Sequence, residues 1–468
     1  MELAAQVINA VLDRTGMDPA LVDDVFLGCV SQVGEQSTNV ARNAVLASRL
    51  PESVPGTSID RQCGSSQQAL HFAAQAVMSG VQDIVLAGGV ESMTRVPMFS
   101  PSALAQKAGL GFYQSESVNR RYHDVVFSQF SGAEMMARKY DLGKDALDQF
   151  ALLSHQRAIA ATEAGAFADE IVPVPVRRAD GHQDGSLHSV DEGIRFDATL
   201  AGIQGVKLLQ EGGVISAANA SQVCDGATAA LVVNERGLKA LGLNPLARVH
   251  HMSVLGHDPV IMLEAPIPAT QKALERAGMK IGDIDLFEVN EAFASVPTAW
   301  LKVTGGDASR LNVNGGAIAL GHPLGGSGAK LMTTLIHALK DRGVLKAGET
   351  ITSVNNQEVK TVEDVSNAVE KARNQGRSKA LFQVESGDGT RFVALNIDHD
   401  RLQPLDSNLT VSGEPYDLKQ NLSCDTEPPA FPGVDDYDVD SKGRTYAMLS
   451  SYFNAEGCGI LRFLADGS

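Results

Sequence analysis

The chain has 468 residues, of which 44% are hydrophobic and 20% are charged, and its formal net charge is −17. This length predicts two to four domains with a sizeable core, and the acidic balance argues against nucleic acid as a partner. No apolar run is long enough to span a membrane, and the N-terminus lacks the basic-then-apolar pattern of a signal peptide. The cysteines have neither metal-site spacing nor a disulfide framework, which predicts a reducing cytoplasm and no bound metal. They are Cys29, Cys63, Cys224, Cys424 and Cys458.

The first ninety residues alternate between helical and strand patterns around one cysteine. Apolar spacing predicts helices over residues 2–15 and 36–50 and a buried strand over residues 25–30. Cys63 then precedes small residues that open another helix, and a strand follows over residues 83–88. With 45 glycines in the chain, this pattern indicates a glycine-rich α/β protein.

Two interpretations of Cys63 compete. A thiol at the start of a helix faces unpaired backbone N–H groups, and this positive end favours the nucleophilic thiolate. Free cysteine is also among the most buried residue types, so a packed core residue is the simpler interpretation of the segment alone.

Two later segments favour the nucleophile. A hydrophobic strand over residues 284–289 leads into Asn290-Glu-Ala-Phe293, and further on the chain contains Gly321-His-Pro-Leu-Gly-Gly-Ser-Gly328. His322, held by a proline between glycine turns, suits a general base better than a packed ring. Cys63, His322 and Asn290 therefore form a candidate set of nucleophile, base and orienting residue.

These three segments together resemble the signatures of the thiolases, which are acetyl-CoA C-acyltransferases. The resemblance covers residues 1 to about 343 and implies an α/β fold of five layers, αβαβα, built from two similar halves. The first half would span residues 1–245, with an inserted loop domain over about 96–215, and a truncated second half would span residues 246–343. Thiolase-like chains normally begin with a strand before the first helix. Here that strand is absent, so the sheet either lacks a central strand or has another element in that place.

The resemblance also implies the chemistry of the site. Cys63 would carry the acyl group as a thioester, His322 would act as base, and Asn290 would orient a water or contribute to an oxyanion site. The implied substrates are acyl-CoA and CoA, with no bound cofactor, in reactions of fatty acid metabolism that cleave or condense 3-ketoacyl-CoA. Residues expected along the substrate path are Ser221, Asn219, Ala292, Phe293 and Gly321. For Asn219, tight strand packing is an equally good interpretation.

The thiolase-like pattern stops after Gly343. The family's second catalytic cysteine, in a Cys-x-Gly loop, is not found in its expected place, which predicts that acylation survives while full turnover is weak. Cys458-Gly459 has the wrong spacing and comes too late in the chain to replace it. Residues 344–398 resemble the later part of a PDZ domain of Do-type serine proteases, without the part that binds peptide.

Residues 399–468 read as an acidic tail of unknown class, in which only residues 445–464 alternate as a β-hairpin would. Three functions follow from these observations: a thiolase-type acyltransferase, a non-catalytic binder of CoA thioesters, and a PDZ-type interaction protein. The family resemblance also implies a homodimer or homotetramer.

Overall fold

The structure is a computed structural model that describes residues 1–177, 180, 182–183, 185–341, 350–377, 379–386, 389–397, 410–411, 414–415, 445–451 and 456–463. The chain divides into two compact units. The first unit comprises residues 1–243, 249–338 and 446–461, and the second comprises residues 244–248, 339–445 and 462–468. The predicted junctions near residues 344 and 399 lie outside the described residues.

The first unit begins with the half that carries Cys63. Its helices and strands are α1 (Glu2–Thr15), β1 (Asp24–Gly28), α2 (Val40–Ala47), β2 (Thr57–Ile59), α3 (Ser65–Met78), β3 (Ile84–Ser92), α4 (Ser100–Lys107), α5 (Glu116–Arg121), α6 (Gln129–Lys139), α7 (Lys144–Glu163), β4 (Val174–Pro175), β5 (Leu187–His188), α8 (Leu200–Gln204), β6 (Asp225–Val233) and α9 (Glu235–Leu241).

One sheet organises this half, in the order β2-β1-β3-β6. Strands β2, β1 and β3 are parallel, and β6 is antiparallel to β3. Side chains alternate between the faces of a strand, so Val25 and Leu27 pack with α1 and α2 while Gly28 lies against the start of α3. The two faces of the sheet are thus covered by different helices.

The structure answers the question of the central strand. Asp24 to Gly28 of β1 pair directly with Val85 to Gly89 of β3, so no further strand lies between them in the described sheet. The sheet therefore has four strands, and the first of the two predicted alternatives is correct.

The segment between β3 and β6, expected as an inserted loop domain, contains the helices α4 to α8 and the short strands β4 and β5. Met136 of α6 and Leu147 of α7 are fully buried in the same core cluster as Phe287 and Trp300 of the second half. This apolar contact holds α6 and α7 against the elements that carry Asn290.

The second half of the first unit contains β7 (Ala247–Leu255), α10 (Pro266–Ala277), β8 (Leu286–Val289), α11 (Ser295–Thr304), α12 (Ala317–Leu320) and α13 (Ser327–Asp341). Its sheet has the order β7-β16-β15-β8, where β15 (Thr445–Ser451) and β16 (Glu456–Phe463) come from the end of the chain. Ala447 to Ser450 of β15 run parallel to Leu286 to Val289 of β8.

This sheet corrects the expectation of a half that ends near Gly343 and is followed by a separate acidic tail. The hairpin predicted over residues 445–464 is present, and it supplies two inner strands of the second sheet. The local alternation revealed the strands, but their partner lies more than 150 residues earlier in the chain, which no local pattern encodes.

The second unit has a sheet of its own. Its elements are β9 (Thr350–Val354), β10 (Gln357–Glu358), α14 (Val362–Asn374), β11 (Lys379–Ser386), β12 (Gly389–Asn396), β13 (Thr410–Val411) and β14 (Glu414–Pro415). The sheet order is β12-β11-β9-β13-β14, with β10 paired to β9. Val365 and Val369 of α14 pack with Ile351 and Phe382 in a separate core cluster.

Candidate active site

Cys63 lies in a tight turn immediately before α3. Gln62, the residue before it, has a φ of 48°, a left-handed conformation that is costly for a residue with a side chain. Asp60 Oδ1 accepts the Gln62 N–H at 2.8 Å, and the Ser65 hydroxyl accepts the Arg61 N–H at 2.9 Å. The turn is therefore held by side chains on both sides of the cysteine.

The Cys63 side chain is 3% exposed and packs with Met93 and Leu324. Leu324 belongs to the glycine-rich loop that carries His322, so the structure brings the cysteine beside that loop. Burial alone is what the packed-core interpretation of Cys63 predicts. Its position against Leu324 is what distinguishes it from an ordinary core thiol.

Small residues make this approach possible. A Cβ added at Gly328 would lie 2.4 Å from the backbone nitrogen of Gln67, in the first turn of α3. The next residue, Ala329, donates its N–H to the Ser66 hydroxyl at 2.9 Å. The starts of α13 and α3 are thereby in direct backbone contact, which a larger residue at position 328 would prevent.

His322 is buried, and both of its ring nitrogens have partners. Its Nδ1 lies 2.6 Å from Ser327 Oγ, and its Nε2 lies 3.3 Å from Asn290 Nδ2. The Ser327 hydroxyl donates to the Pro323 carbonyl at 2.9 Å, so it accepts from Nδ1–H. Nε2 is then the nitrogen with the lone pair, and it accepts from the Asn290 amide.

The charge state of His322 agrees with this arrangement. Burial, and to a smaller extent the positive charge of Lys330, lower the pKa of the ring to about 3. The imidazole is thus neutral at physiological pH. A neutral ring whose Nε2 carries the lone pair can accept a proton from a thiol.

Asn290 follows β8 directly, and the backbone around it is pinned by a residue that the sequence did not reveal. Asn312 accepts the Val289 N–H at 2.9 Å and donates to the Val289 carbonyl and to Glu291 Oε1, each at 2.8 Å. Glu291 also accepts the Ser154 hydroxyl at 2.6 Å. Asn312 itself has a φ of 45°, which an asparagine tolerates better than most residues.

A second buried acid, Glu91 at the end of β3, holds the His322 loop. Its carboxyl group accepts the N–H groups of Val30, Ser31 and Gly325, each at 2.9 Å, and the Gln36 amide at 3.0 Å. The sequence shows Glu91 within a glycine-rich strand end. An acidic residue directly after a run of apolar residues and glycines is the sequence signal that could have identified Glu91.

The residues expected along the substrate path lie in two segments that pair with each other. Ser221 donates its N–H to the Ala292 carbonyl at 2.9 Å, and Ala220 forms a bridge with Phe293. The neighbouring Gln222 carbonyl accepts the His322 N–H at 3.0 Å, which joins this pair to the catalytic loop. Gly321, with a φ of 80°, lies against the sulfur of Cys224.

Asn219 is bonded entirely within the protein. Its Oδ1 accepts the Ser216 N–H at 2.9 Å, and its Nδ2 donates to Asp148 at 2.9 Å and to the Val214 carbonyl at 3.0 Å. These contacts favour the packing interpretation of Asn219 over a direct contact with substrate.

Two further properties of the described residues bear on the class of site. Among them, no group of three or more His, Cys, Asp or Glu side chains could hold a metal ion. In the same part of the chain, no helix has the length and apolar character needed to cross a membrane.

Comparison with known proteins is consistent with this geometry. The family model for the thiolase N-terminal domain matches residues 1–236, and the model for the thiolase C-terminal domain matches residues 243–362. The second match extends past residue 343, where the sequence-based resemblance was expected to stop.

Curated relatives and a solved structure agree with the family models. The steroid 3-ketoacyl-CoA thiolase FadA6 of Mycobacterium tuberculosis (strain ATCC 25618 / H37Rv) is 47% identical over 345 residues, which cover 73% of this chain and 83% of that protein. The 3-ketoacyl-CoA thiolase of Yersinia pestis (strain Pestoides F) is 43% identical over 349 residues, covering 73% and 87%. The crystal structure of the Bacillus anthracis acetyl-CoA acetyltransferase superposes with a TM-score of 0.68 at 27% identity, covering 99% of this chain and 92% of the other.

Proposed function

Because this chain belongs to the thiolase family and is a thiolase-type acyltransferase, we propose that Cys63 carries the acyl group and that 3-ketoacyl-CoA is a substrate. The curated relatives are named for that substrate class, which supports its transfer to this chain. The observation that carries the assignment is the position of the His322 loop, which packs against Cys63 through Leu324. The His322 ring in that loop is neutral and carries its lone pair on Nε2.

We propose the following acylation step. His322 Nε2 takes the proton of the Cys63 thiol, and the sulfur forms a bond to the carbonyl carbon of the acyl-CoA. The bond from that carbon to the CoA sulfur then breaks, and the CoA thiolate receives the proton back from His322. The Asn290 amide contributes a donor near the developing negative charge, a kind of interaction worth several kcal/mol in dry sites.

Completion of the cycle needs a second acid or base at the substrate α-carbon or at the incoming thiol. In the family this group is the cysteine of the Cys-x-Gly loop, which the sequence lacks in its expected place. We therefore propose that acylation of Cys63 is retained while cleavage or condensation of 3-ketoacyl-CoA is slow. CoA-thioester binding without turnover is the alternative that the same assay would reveal.

The test is incubation with acetyl-CoA followed by intact mass measurement. We expect one acetyl group on the wild-type chain and none on Cys63→Ala, while Cys29→Ala, which removes a different buried thiol, keeps the adduct. An unmodified wild-type chain, or equal modification of Cys63→Ala, would refute the assignment. Release of CoA from acetoacetyl-CoA then reports whether the second half-reaction proceeds.

Three further assignments rest on family resemblance and composition. We propose a cytoplasmic enzyme that assembles as a homodimer or homotetramer, and light scattering on the purified chain tests the assembly. The resemblance of residues 344–398 to part of a PDZ domain stays a prediction, and no peptide-binding function is proposed for it. Pull-down with C-terminal peptides would test whether this part of the chain binds peptide at all.

A further inference from the structure

Another buried glutamate of the first unit, Glu288, lies next to the candidate active site. Glu288 occupies β8, two residues before Asn290, and is 1% exposed. Its neighbour Phe287 turns to the other face of the strand, where its ring packs edge-on against Trp300 at 5.1 Å. Glu288 thus faces away from that core and borders a cavity. The cavity is lined in part by Glu288, Asn290, Gly321, Ser327, Lys330 and Thr334.

The acceptors around this cavity outnumber the donors that reach them. Within the described part of the chain, neither carboxyl oxygen of Glu288 has a hydrogen-bond partner, and the same is true of Asn290 Oδ1. Lys330 Nζ donates instead to the Leu320 carbonyl at 3.4 Å. Buried polar atoms without partners are rare in native proteins, so three beside one cavity require an explanation.

The charges around Glu288 come from three directions. Glu291 follows β8, the strand that carries Glu288. Arg157 lies on α7, Glu170 lies in the segment after α7, and Lys330 lies on α13. Burial raises the pKa of Glu288 well above its usual value, and Glu291 raises it further, against the opposing effects of Lys330 and Arg157. A raised pKa favours the neutral carboxylic acid, which has one O–H to donate.

We propose that the Glu288 carboxyl group donates a hydrogen bond to Asn290 Oδ1, directly or through one water, and thereby orients the amide whose Nδ2 faces His322. Glu288 is then a positioning residue, acting on the base through Asn290, and this role rests on the proposed function of His322. The interaction satisfies the orphaned amide oxygen and one oxygen of the acid together. It also prevents the amide from turning its oxygen toward His322 Nε2.

The orientation of the amide has a measurable consequence for His322. An N–H donated to Nε2 stabilises the neutral ring, whereas an amide oxygen facing Nε2 stabilises the protonated ring. Loss of the Glu288 donor should therefore raise the pKa of His322 and move the acidic limb of the acylation pH profile to higher pH. A merely structural defect would lower the rate without moving that limb.

Three variants separate these possibilities. Glu288→Leu removes the donor at similar volume, Glu288→Gln keeps a neutral donor, and Leu331→Met changes the same cavity wall without a polar group. We expect Glu288→Leu to slow acylation of Cys63 by acetyl-CoA about ten- to a hundred-fold, with KM for acetyl-CoA little changed and the acidic limb displaced. Glu288→Gln and Leu331→Met should keep the wild-type profile.

The outcomes are distinguishable from failure of the proposed function. A Glu288→Leu chain with the wild-type rate and pH profile would overturn the inference, as would a Glu288→Gln chain as impaired as Glu288→Leu. If the wild-type chain forms no adduct on Cys63, the proposed function fails. In that case NMR titration of His322 still decides the inference, and an unchanged pKa in Glu288→Leu contradicts it.

A measurement on the folded wild-type chain guards against misfolding of the variants. The difference infrared spectrum between wild type and Glu288→Gln at neutral pH should contain the C=O stretch of a protonated carboxylic acid. Absence of that band would show an ionised Glu288 that has no proton to donate, and would overturn the proposal.

Discussion

Two buried glutamates near the ends of strands, one in each half of the first unit, differ in their hydrogen-bond partners. Glu91 and Glu288 are both essentially inaccessible to solvent, yet Glu91 accepts four hydrogen bonds while Glu288 has none among the described residues. Glu91 links the segment after β1 to the loop of His322 through hydrogen bonds. Glu288 borders the same cavity as Asn290. The same residue type, equally buried, thus serves architecture in one half and, by our proposal, the orientation of a catalytic group in the other.

The difference follows from what each side chain meets. The Glu91 carboxyl group lies among backbone N–H groups of turns that have no other partner, and this makes it an anchor for several segments at once. Glu288 meets a cavity and another acceptor, and this surrounding favours its protonated form. Partners, rather than burial alone, decide which role a buried acid takes.

The largest expected effect that would test this contrast is on folding stability. Glu91→Ala leaves three backbone N–H groups without an acceptor and removes one of the two acceptors of the Gln36 amide. This loss should cost on the order of 3–5 kcal/mol in the free energy of unfolding. Glu288→Ala loses no described hydrogen bond and should cost less than half as much. Urea denaturation of both variants measures the difference, and equal losses would contradict the contrast.

Replacing each glutamate by glutamine should change the free energy of unfolding in opposite directions. Glu91→Gln puts an NH₂ group among donors and should destabilise the fold by about 1–3 kcal/mol. Glu288→Gln replaces a buried acid by a permanently neutral group of the same shape, and at neutral pH it should stabilise the fold by about 1 kcal/mol or more. Destabilisation of similar size in both variants would show that Glu288 is anchored like Glu91.

The stabilisation by Glu288→Gln should depend on pH with a definite sign. The folded-state pKa of Glu288 is raised above the ordinary value of 4.5, so the folded chain holds this proton more tightly than the unfolded chain does. Stability of the wild type therefore falls as the pH rises above 4.5, relative to Glu288→Gln, by up to about 1.4 kcal/mol per pH unit until the folded pKa is passed. Unfolding of both chains at several pH values measures this. His322 is common to both chains, so its contribution cancels.

The smallest expected effect concerns the Nδ1 side of the His322 ring, which contacts Ser327 in the loop that Glu91 binds through Gly325. Ser327→Ala removes the acceptor of Nδ1–H and should lower the acylation rate about tenfold, while the free energy of unfolding changes by only about 1 kcal/mol. Ser295→Ala removes a buried hydroxyl without a described partner and is the matched control. An unchanged acylation rate in Ser327→Ala would show that the tautomer is not set by this contact.

Much of this molecule could be predicted from its sequence. The order and kind of most elements follow from apolar spacing, because helix and strand periods are local properties of the chain. Cys63, Asn290 and His322 lie in long motifs with characteristic glycines and a proline. These motifs carry the family resemblance without any structural information. The hairpin over residues 445–464 could be predicted as a hairpin for the same reason.

Other properties depended on segments that are distant in the chain. The insertion of that hairpin beside β8, the four bonds of Glu91 and the bond from Asn219 to Asp148 each join residues dozens to hundreds of positions apart. No local period records such pairings, because they follow from how the sheets and the glycine loop pack. The sequence by itself therefore determined the elements and the reactive residue types. The tertiary structure alone decided which buried groups of the described residues are bonded and which, like Glu288, have no hydrogen-bond partner.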